Sequence, residues 1–307
     1  MKMHRVWTLF LLFLCLPAFS QNDIVYQVRT ALAGGDLSSA QSLVSRYKGQ
    51  HGVDSPYLEA LSWVARGALE AKQLDLAQKT AAETEALTSQ KLQKHSVDSD
   101  PQLATALGAA IEVQAQALAA QNQNAKAVAL LRRNLVTYHG TSIEPRLQKN
   151  LNLLSLVGQP APTLSETEYL GVQPSTLTKL KGSPVLLFFW AHWCVDCKQE
   201  APIISQLSSE FATKGLSVLA PTQLYGYAAY GEAATPKDET AYIGRVWQHY
   251  YPALQSVAVP ISKANFTHYG ASTTPTLVLI DRKGHVAMYH PGLMQYDDLR
   301  AAIQKVL

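Results

Sequence analysis

The sequence predicts two folded units: an all-α half built of helical hairpins, then an α/β half with a central mixed sheet flanked by helices. Three observations carry this reading. From about Ile24 to Leu154 the chain is rich in Ala, Leu and Gln, with apolar residues at helical spacing. That pattern stops at Val157-Gly158-Gln159-Pro160-Ala161-Pro162, where Pro and Gly interrupt it. Beyond the break, strand-length apolar runs alternate with helix-length segments. The expected units are a leader over 1–20, the helical half over 21–155 and the α/β half over 156–307.

A chain of 307 residues suffices for two ordinary domains. Its 47% hydrophobic and 16% charged content is that of a folded globular protein. The net charge of +3 comes with no basic block to neutralise phosphates, which argues against nucleic-acid binding. The amino terminus reads as a cleavable signal peptide. Lys2, His4 and Arg5 form a basic start, an apolar stretch over 6–16 is too short to span a bilayer, and Pro17 breaks it. Small residues at Ala18 and Ser20 suit a signal peptidase, giving Gln21 as the mature start and an exported, periplasmic or extracellular location. No other segment reads as a transmembrane run. Cleavage would remove Cys15 and leave Cys194 and Cys197 as the mature protein's pair.

Within the helical half, Leu61, Val64, Ala65, Ala68 and Leu69 make one apolar stripe, and Ala127, Leu130, Leu131 and Leu135 another. Breaks at Gly34-Gly35, 49–55, 96–101 and 139–145 divide it into hairpins. A weak self-similarity runs through Leu32, Gly35 and Ala40, then Leu69, Gln73 and Ala77, then Leu118, Gln121 and Ala127. This resembles tetratricopeptide repeats, in which small residues let paired helices pack closely. A plain Ala-rich bundle fits the same composition. This half carries no catalytic constellation, and its expected role is to dock a protein partner.

In the α/β half, Val185-Leu186-Leu187-Phe188-Phe189-Trp190 reads as a strand buried on both faces. A helix follows over 199–211, then a short strand over 215–220. Strands over 276–280 and 285–289 flank Asp281-Arg282-Lys283-Gly284 as a hairpin, and a helix over 297–307 closes the chain. Cys194-Val195-Asp196-Cys197 comes directly after the central strand. A thiol at that point sits at a helix amino terminus, where the dipole and free amides favour a thiolate. Three residues on, Cys197 shares its helix face and can resolve a mixed disulfide. Zinc would need a second Cys or His pair at suitable spacing. No metal or cofactor is expected.

With these residues in place, 157–307 is identified as similar to the TlpA/ResA-type branch of the thioredoxin superfamily. The matching residues are the run from Phe189 to Pro202 around Trp193-Cys194-Val195-Asp196-Cys197, then Tyr269-Gly270, Thr274-Pro275-Thr276 and Ile280-Asp281-Arg282-Lys283-Gly284. The resemblance implies a thioredoxin-like fold and a thiol-disulfide oxidoreductase acting in cell redox homeostasis. Cys194 would attack and Cys197 resolve, while Pro275 would be a cis-proline facing the dithiol. The backbone at Thr274 would pair with substrate, and Trp193 would shield the thiols. Pro202 would kink the active-site helix. Thioredoxins proper keep a buried acid six residues before the first cysteine, where this chain has Phe188. The TlpA/ResA type places an acid three residues after the second, and Glu200 fits, as a proton relay to Cys197. Protein thiol or disulfide clients and a membrane thiol reductase as electron donor are the implied partners.

Asp196, between the cysteines, should raise the thiolate pKa and make the protein a better reductant. His192 reads as an exposed loop histidine, with electrostatic tuning of the cysteine pair as the second reading. The segment 221–260 holds six tyrosines, with a helix opened by Thr235-Pro236. Within it, Tyr242, Val246 and Tyr250 form a helical stripe expected to pack in the core. Two rival readings stand beside the reductase. A peroxiredoxin-like peroxidase wants Pro seven and Thr or Ser three residues before its cysteine, where this chain has Leu187 and Ala191. An adaptor would use the helical half to dock and the second fold only as a scaffold.

Overall fold

The computed structural model describes residues 23–93 and 95–307. The expected signal peptide, Cys15 and the Gln21 start lie outside these residues. Among the described residues the first half holds seven α-helices, α1 Ile24–Ala33, α2 Leu37–His51, α3 Ser55–Glu70, α4 Leu74–Leu92, α5 Pro101–Ala120, α6 Asn124–Thr137 and α7 Glu144–Ser155, with a 3-10 turn at Val97–Ser99. Asp36, Asp54 and Asp100 cap α2, α3 and α5, each accepting a backbone N–H of the first turn.

Three hairpins in this half share one turn. Gly35, Lys72 and Asn122 adopt left-handed conformations with φ of 76°, 59° and 62°. Their N–H groups bond to the carbonyls of Leu32, Leu69 and Ala119. The next residues, Asp36, Gln73 and Gln123, bond back to Ala31, Ala68 and Leu118, which satisfies helix-end carbonyls in the same way each time. Five residues beyond each left-handed position stands Ala40, Ala77 or Ala127, fully buried where the paired helices meet. The breaks at 71–73 and 121–123 add to those expected from Gly and Pro. They went unmarked because Lys72 and Asn122 do the work that Gly35 does in the first hairpin.

By length and composition α5 could cross a membrane, contrary to the expectation that no later segment would pass that test. Twelve of its residues are buried against neighbouring helices, however, so its apolar character serves the core of this half. Glu112, in its middle, is held by Lys149 Nζ at 2.8 Å, with Arg66 and Arg146 each at 3.9 Å. Burial opposes its charge, but Lys149 and Arg146, with a hydrogen bond from Asn150, hold its pKa below the usual carboxylate value.

The second half contains β1 Tyr169–Leu170, β2 Val185–Phe189, α8 Val195–Phe211, β3 Ser217–Leu219, α9 Pro236–Tyr250, β4 Val259–Pro260, α10 Lys263–Tyr269, β5 Thr276–Ile280, β6 Val286–Pro291 and α11 Tyr296–Gln304. Its four-stranded sheet has the order β3-β2-β5-β6, with β2–β3 parallel and the other pairs antiparallel, and β1 pairs antiparallel with β4 in a separate ribbon. This is the expected mixed sheet in a thioredoxin-like arrangement. The alternation of β2 feeds two cores, one per face. Leu186 and Phe188 pack with Ile204, Leu207 and Phe211 of α8 and with Leu299 and Ile303 of α11. Val185, Leu187 and Phe189 face Phe266 and Tyr269 of α10.

The two halves meet where α7 lies on α10. Asn152 Nδ2 donates to the Tyr269 carbonyl at 2.9 Å, and Leu156 joins the second core. Gly270 ends α10 at φ 59°, and a Cβ there would stand 2.6 Å from Lys149 Cα and 2.7 Å from the Gln148 carbonyl carbon. Only glycine combines that backbone angle with so close an approach.

Candidate active site

The carboxyl end of β2 delivers the chain into the dithiol. Trp190 is fully buried; its indole N–H donates to the Ala220 carbonyl at 3.0 Å and its own carbonyl accepts from Thr222 Oγ1 at 2.9 Å. These bonds fix the strand end from which residues 191–194 turn into α8. Cys194 is the N-cap of α8, and its Sγ accepts the Cys197 N–H at 3.0 Å. The two cysteines are joined as a disulfide, S–S 2.08 Å, with Cys194 3% exposed and Cys197 fully buried. A sulfur at this position faces the free amides and positive end of the helix, which stabilise it as a thiolate once the bond is reduced.

Glu200 lies one turn below Cys197 and is fully buried. Its Oε2 accepts the Met294 N–H at 3.1 Å, while Oε1 has no hydrogen-bond partner. Burial pushes its pKa above the usual carboxylate value, against weaker opposition from the Met294 amide and the positive field of His290. Phe188 is buried between α8 and the Tyr251 ring, with centroids 6.2 Å apart, so the strand position beneath the dithiol is apolar. The Thr274–Pro275 peptide is cis. The Thr274 hydroxyl oxygen is buried without a partner, and Pro202 stands inside α8. Asp196 is exposed in the first turn of α8.

His192 corrects the sequence reading, for it is buried, not exposed on a loop. Its Nε2 lies 3.4 Å from Glu239 Oε1, both side chains 1% exposed. Edges and faces of Tyr225, Tyr227 and Tyr242 surround the imidazole at centroid distances of 5.6, 5.3 and 5.3 Å. Glu239 also accepts the N–H groups of Tyr225 and Gly226, at 2.6 and 2.8 Å. Desolvation holds the His192 pKa below its ordinary value, although Glu239 pulls the other way. Reasoning from sequence missed Glu239 because 46 residues separate it from His192. The available signal was its place in the first turn of a Thr-Pro-opened helix, amid tyrosines that needed a polar centre.

Trp193 is 47% exposed and sets its ring against Tyr225 at 5.5 Å, so it borders the dithiol at the surface. Tyr250, expected in the core, is also 47% exposed; only Val246 of that stripe is fully packed, and the Lys198 ammonium lies over the Tyr250 ring. Thus Cys194, Cys197 and Glu200 come together along α8, and Trp193 flanks them.

Known proteins match this half of the chain. The sequence model of the Redoxin family covers residues 156–303. The thioredoxin-like protein YneN of Bacillus subtilis (strain 168) is 31% identical over 137 residues, 45% of this chain and 72% of that protein. The thiol-disulfide oxidoreductase ResA of Bacillus thuringiensis (strain Al Hakam) is 27% identical over 150 residues, 49% of this chain and 78% of ResA. Among solved structures, the exposed lipoprotein thioredoxin Etrx1 of Streptococcus pneumoniae (strain TIGR4) has 26% identity, covers 46% of this chain and 99% of its own, and gives a TM-score of 0.36. With a mixed sheet, a dithiol capping α8 and these relatives, the chain belongs to the thioredoxin superfamily, in its TlpA/ResA-type branch of thiol-disulfide oxidoreductases.

Proposed function

We propose that this chain is an exported protein-disulfide reductase. The observation that carries the reading is the line of Cys194, Cys197 and buried Glu200 down one helix from its amino terminus. In the reduced protein the Cys194 thiolate attacks a client disulfide, forming a Cys194–client bond and releasing one client sulfur as thiolate, which takes a proton. Cys197, giving its proton to Glu200, then attacks Cys194 Sγ. The second client sulfur leaves and is protonated, and the Cys194–Cys197 disulfide forms. Two electrons pass to the client. Glu200 suits the task because it lies one turn from Cys197 with Oε1 free of hydrogen bonds, and burial raises its pKa, which favours its taking up a proton. The backbone at Thr274 and Pro275 gives an extended client a strand to pair with, and Trp193 covers the approach.

The reducing direction draws support from negative charge around the site. Asp196, exposed between the cysteines in the first turn of α8, disfavours the thiolate, hence the reduced form. A membrane thiol reductase is the electron donor that an exported protein of this type requires, and the basic-apolar leader supports export. The helical half acts as a tetratricopeptide-like docking module, supported by its repeated turns and buried alanines at equivalent positions. Equilibration in defined thiol buffers tests the direction. The midpoint should fall well below the poise of an oxidising compartment, and one above about −150 mV would make the protein an oxidant.

A further inference from the structure

The segment after β3 builds a small hairpin beside the dithiol. Tyr227 bridges Ala233, Ala228 N–H donates to the Glu232 carbonyl at 2.8 Å, and Ala234 N–H donates to Gly226 at 3.0 Å. Its base is clamped to the active-site turn: Glu239 holds the amides of Tyr225 and Gly226 and faces His192, and Tyr225 packs on Trp193. Its tip is Tyr230, fully exposed at 102% and left-handed at φ 56°, ψ 17°. An aromatic side chain adopts that backbone only against steric resistance, and here no core contact repays it. From Gly226 the arm reaches at most about 13 Å, the span of four extended residues.

The surroundings indicate what the arm meets. Cys194 is flanked in the chain by Trp193 and Val195, 47% and 63% exposed, which give the surface beside it an apolar character. The hairpin adds the exposed Tyr230 ring to this surface's neighbourhood, its base joined to Trp193 through Tyr225, and between residues 225 and 234 Glu232 is the one charged side chain. We infer that the 226–234 hairpin is a client-recognition arm, on which Tyr230 binds apolar residues flanking the disulfide of a polypeptide client. The inference rests on the reading of Cys194 as the attacking thiol. The clamp through His192 and Glu239 fixes the base of the arm against the active-site turn, so contact energy gained there serves to orient the client disulfide.

Three disulfide probes test it with the reduced protein: a peptide with a disulfide flanked by Phe, the same peptide flanked by Ser, and oxidised glutathione. Tyr230→Gly suits the left-handed backbone, so folding is preserved, and Tyr230→Phe keeps the ring. Wild type should favour the Phe-flanked peptide through KM by about tenfold. Tyr230→Gly should abolish that preference with kcat and glutathione turnover unchanged, and Tyr230→Phe should retain it. An unchanged KM in Tyr230→Gly, or equal impairment on glutathione, would overturn the arm. So would a dimer that Tyr230→Gly dissolves while peptide KM stays constant. Absence of turnover on all three probes would instead refute the dithiol reading beneath it.

Discussion

Replacing Glu200 with Gln keeps the shape of the side chain and an acceptor for the Met294 N–H, but removes the capacity to carry a proton. Two consequences follow, with separate magnitudes. A positioned acid or base contributes about 10²–10⁴-fold to a proton-transfer step, or roughly 3–5 kcal/mol of barrier. Attack by Cys194 does not use Glu200, so the loss falls on resolution by Cys197, about 10²-fold at the lower end of that range. The second consequence is on stability. An acid whose folded pKa is raised contributes stability that is fully present below its unfolded value of 4.5 and is lost as pH rises through the folded pKa. Each unit of elevation costs the wild type about 1.4 kcal/mol above that window, and Gln, which does not titrate, is spared this. Stopped-flow single turnover with a peptide disulfide, and urea unfolding of the oxidised protein at pH 5 and pH 8, read the two effects. The difference in stability should move in favour of Glu200→Gln as pH rises, while resolution slows. Parallel pH profiles, or resolution within threefold of wild type, would refute the reasoning.

Gly270→Ala brings a Cβ against the α7 backbone at a left-handed position, and should cost about 2–4 kcal/mol in urea unfolding; a loss under 0.5 kcal/mol would mean that α7 yields freely. Lys72→Gly relieves the left-handed turn between α3 and α4, and should raise stability by up to about 1 kcal/mol. Destabilisation there would show that the Lys72 side chain contributes more than its backbone costs. Glu239→Gln removes the carboxylate that raises the His192 pKa, so NMR titration should find His192 protonating at lower pH than in wild type. A shift to higher pH would contradict the assigned pair.

Much of what the sequence revealed followed from local rules. The apolar run 185–190 admits little besides a strand buried on both faces, and the structure buries Val185 through Phe189 in two cores. Thr235-Pro236 opened a helix as its capping chemistry requires. The absence of an acid at Phe188 and its presence at Glu200 came from the resemblance to the TlpA/ResA type and not from a local rule, and both positions are buried. The hidden features depend on distant partners. His192 looks exposed in a string of residues because its carboxylate and tyrosine neighbours arrive from the hairpin and α9. Glu112 interrupts an apolar helix, and the cations that permit it come from α3 and α7. The turns at Lys72 and Asn122 were legible only through the repeat, since neither residue announces a left-handed backbone as Gly35 does.

The central claim is that Cys194 makes the bond to the client and Cys197 breaks it. Reduced Cys197→Ser, mixed with a disulfide-bearing peptide, tests this most directly. Peptide mapping by mass spectrometry should find one stable adduct per chain, a mixed disulfide on Cys194, released only by added thiol. An adduct that fails to form, or that clears at the wild-type rate without Cys197, would contradict the account.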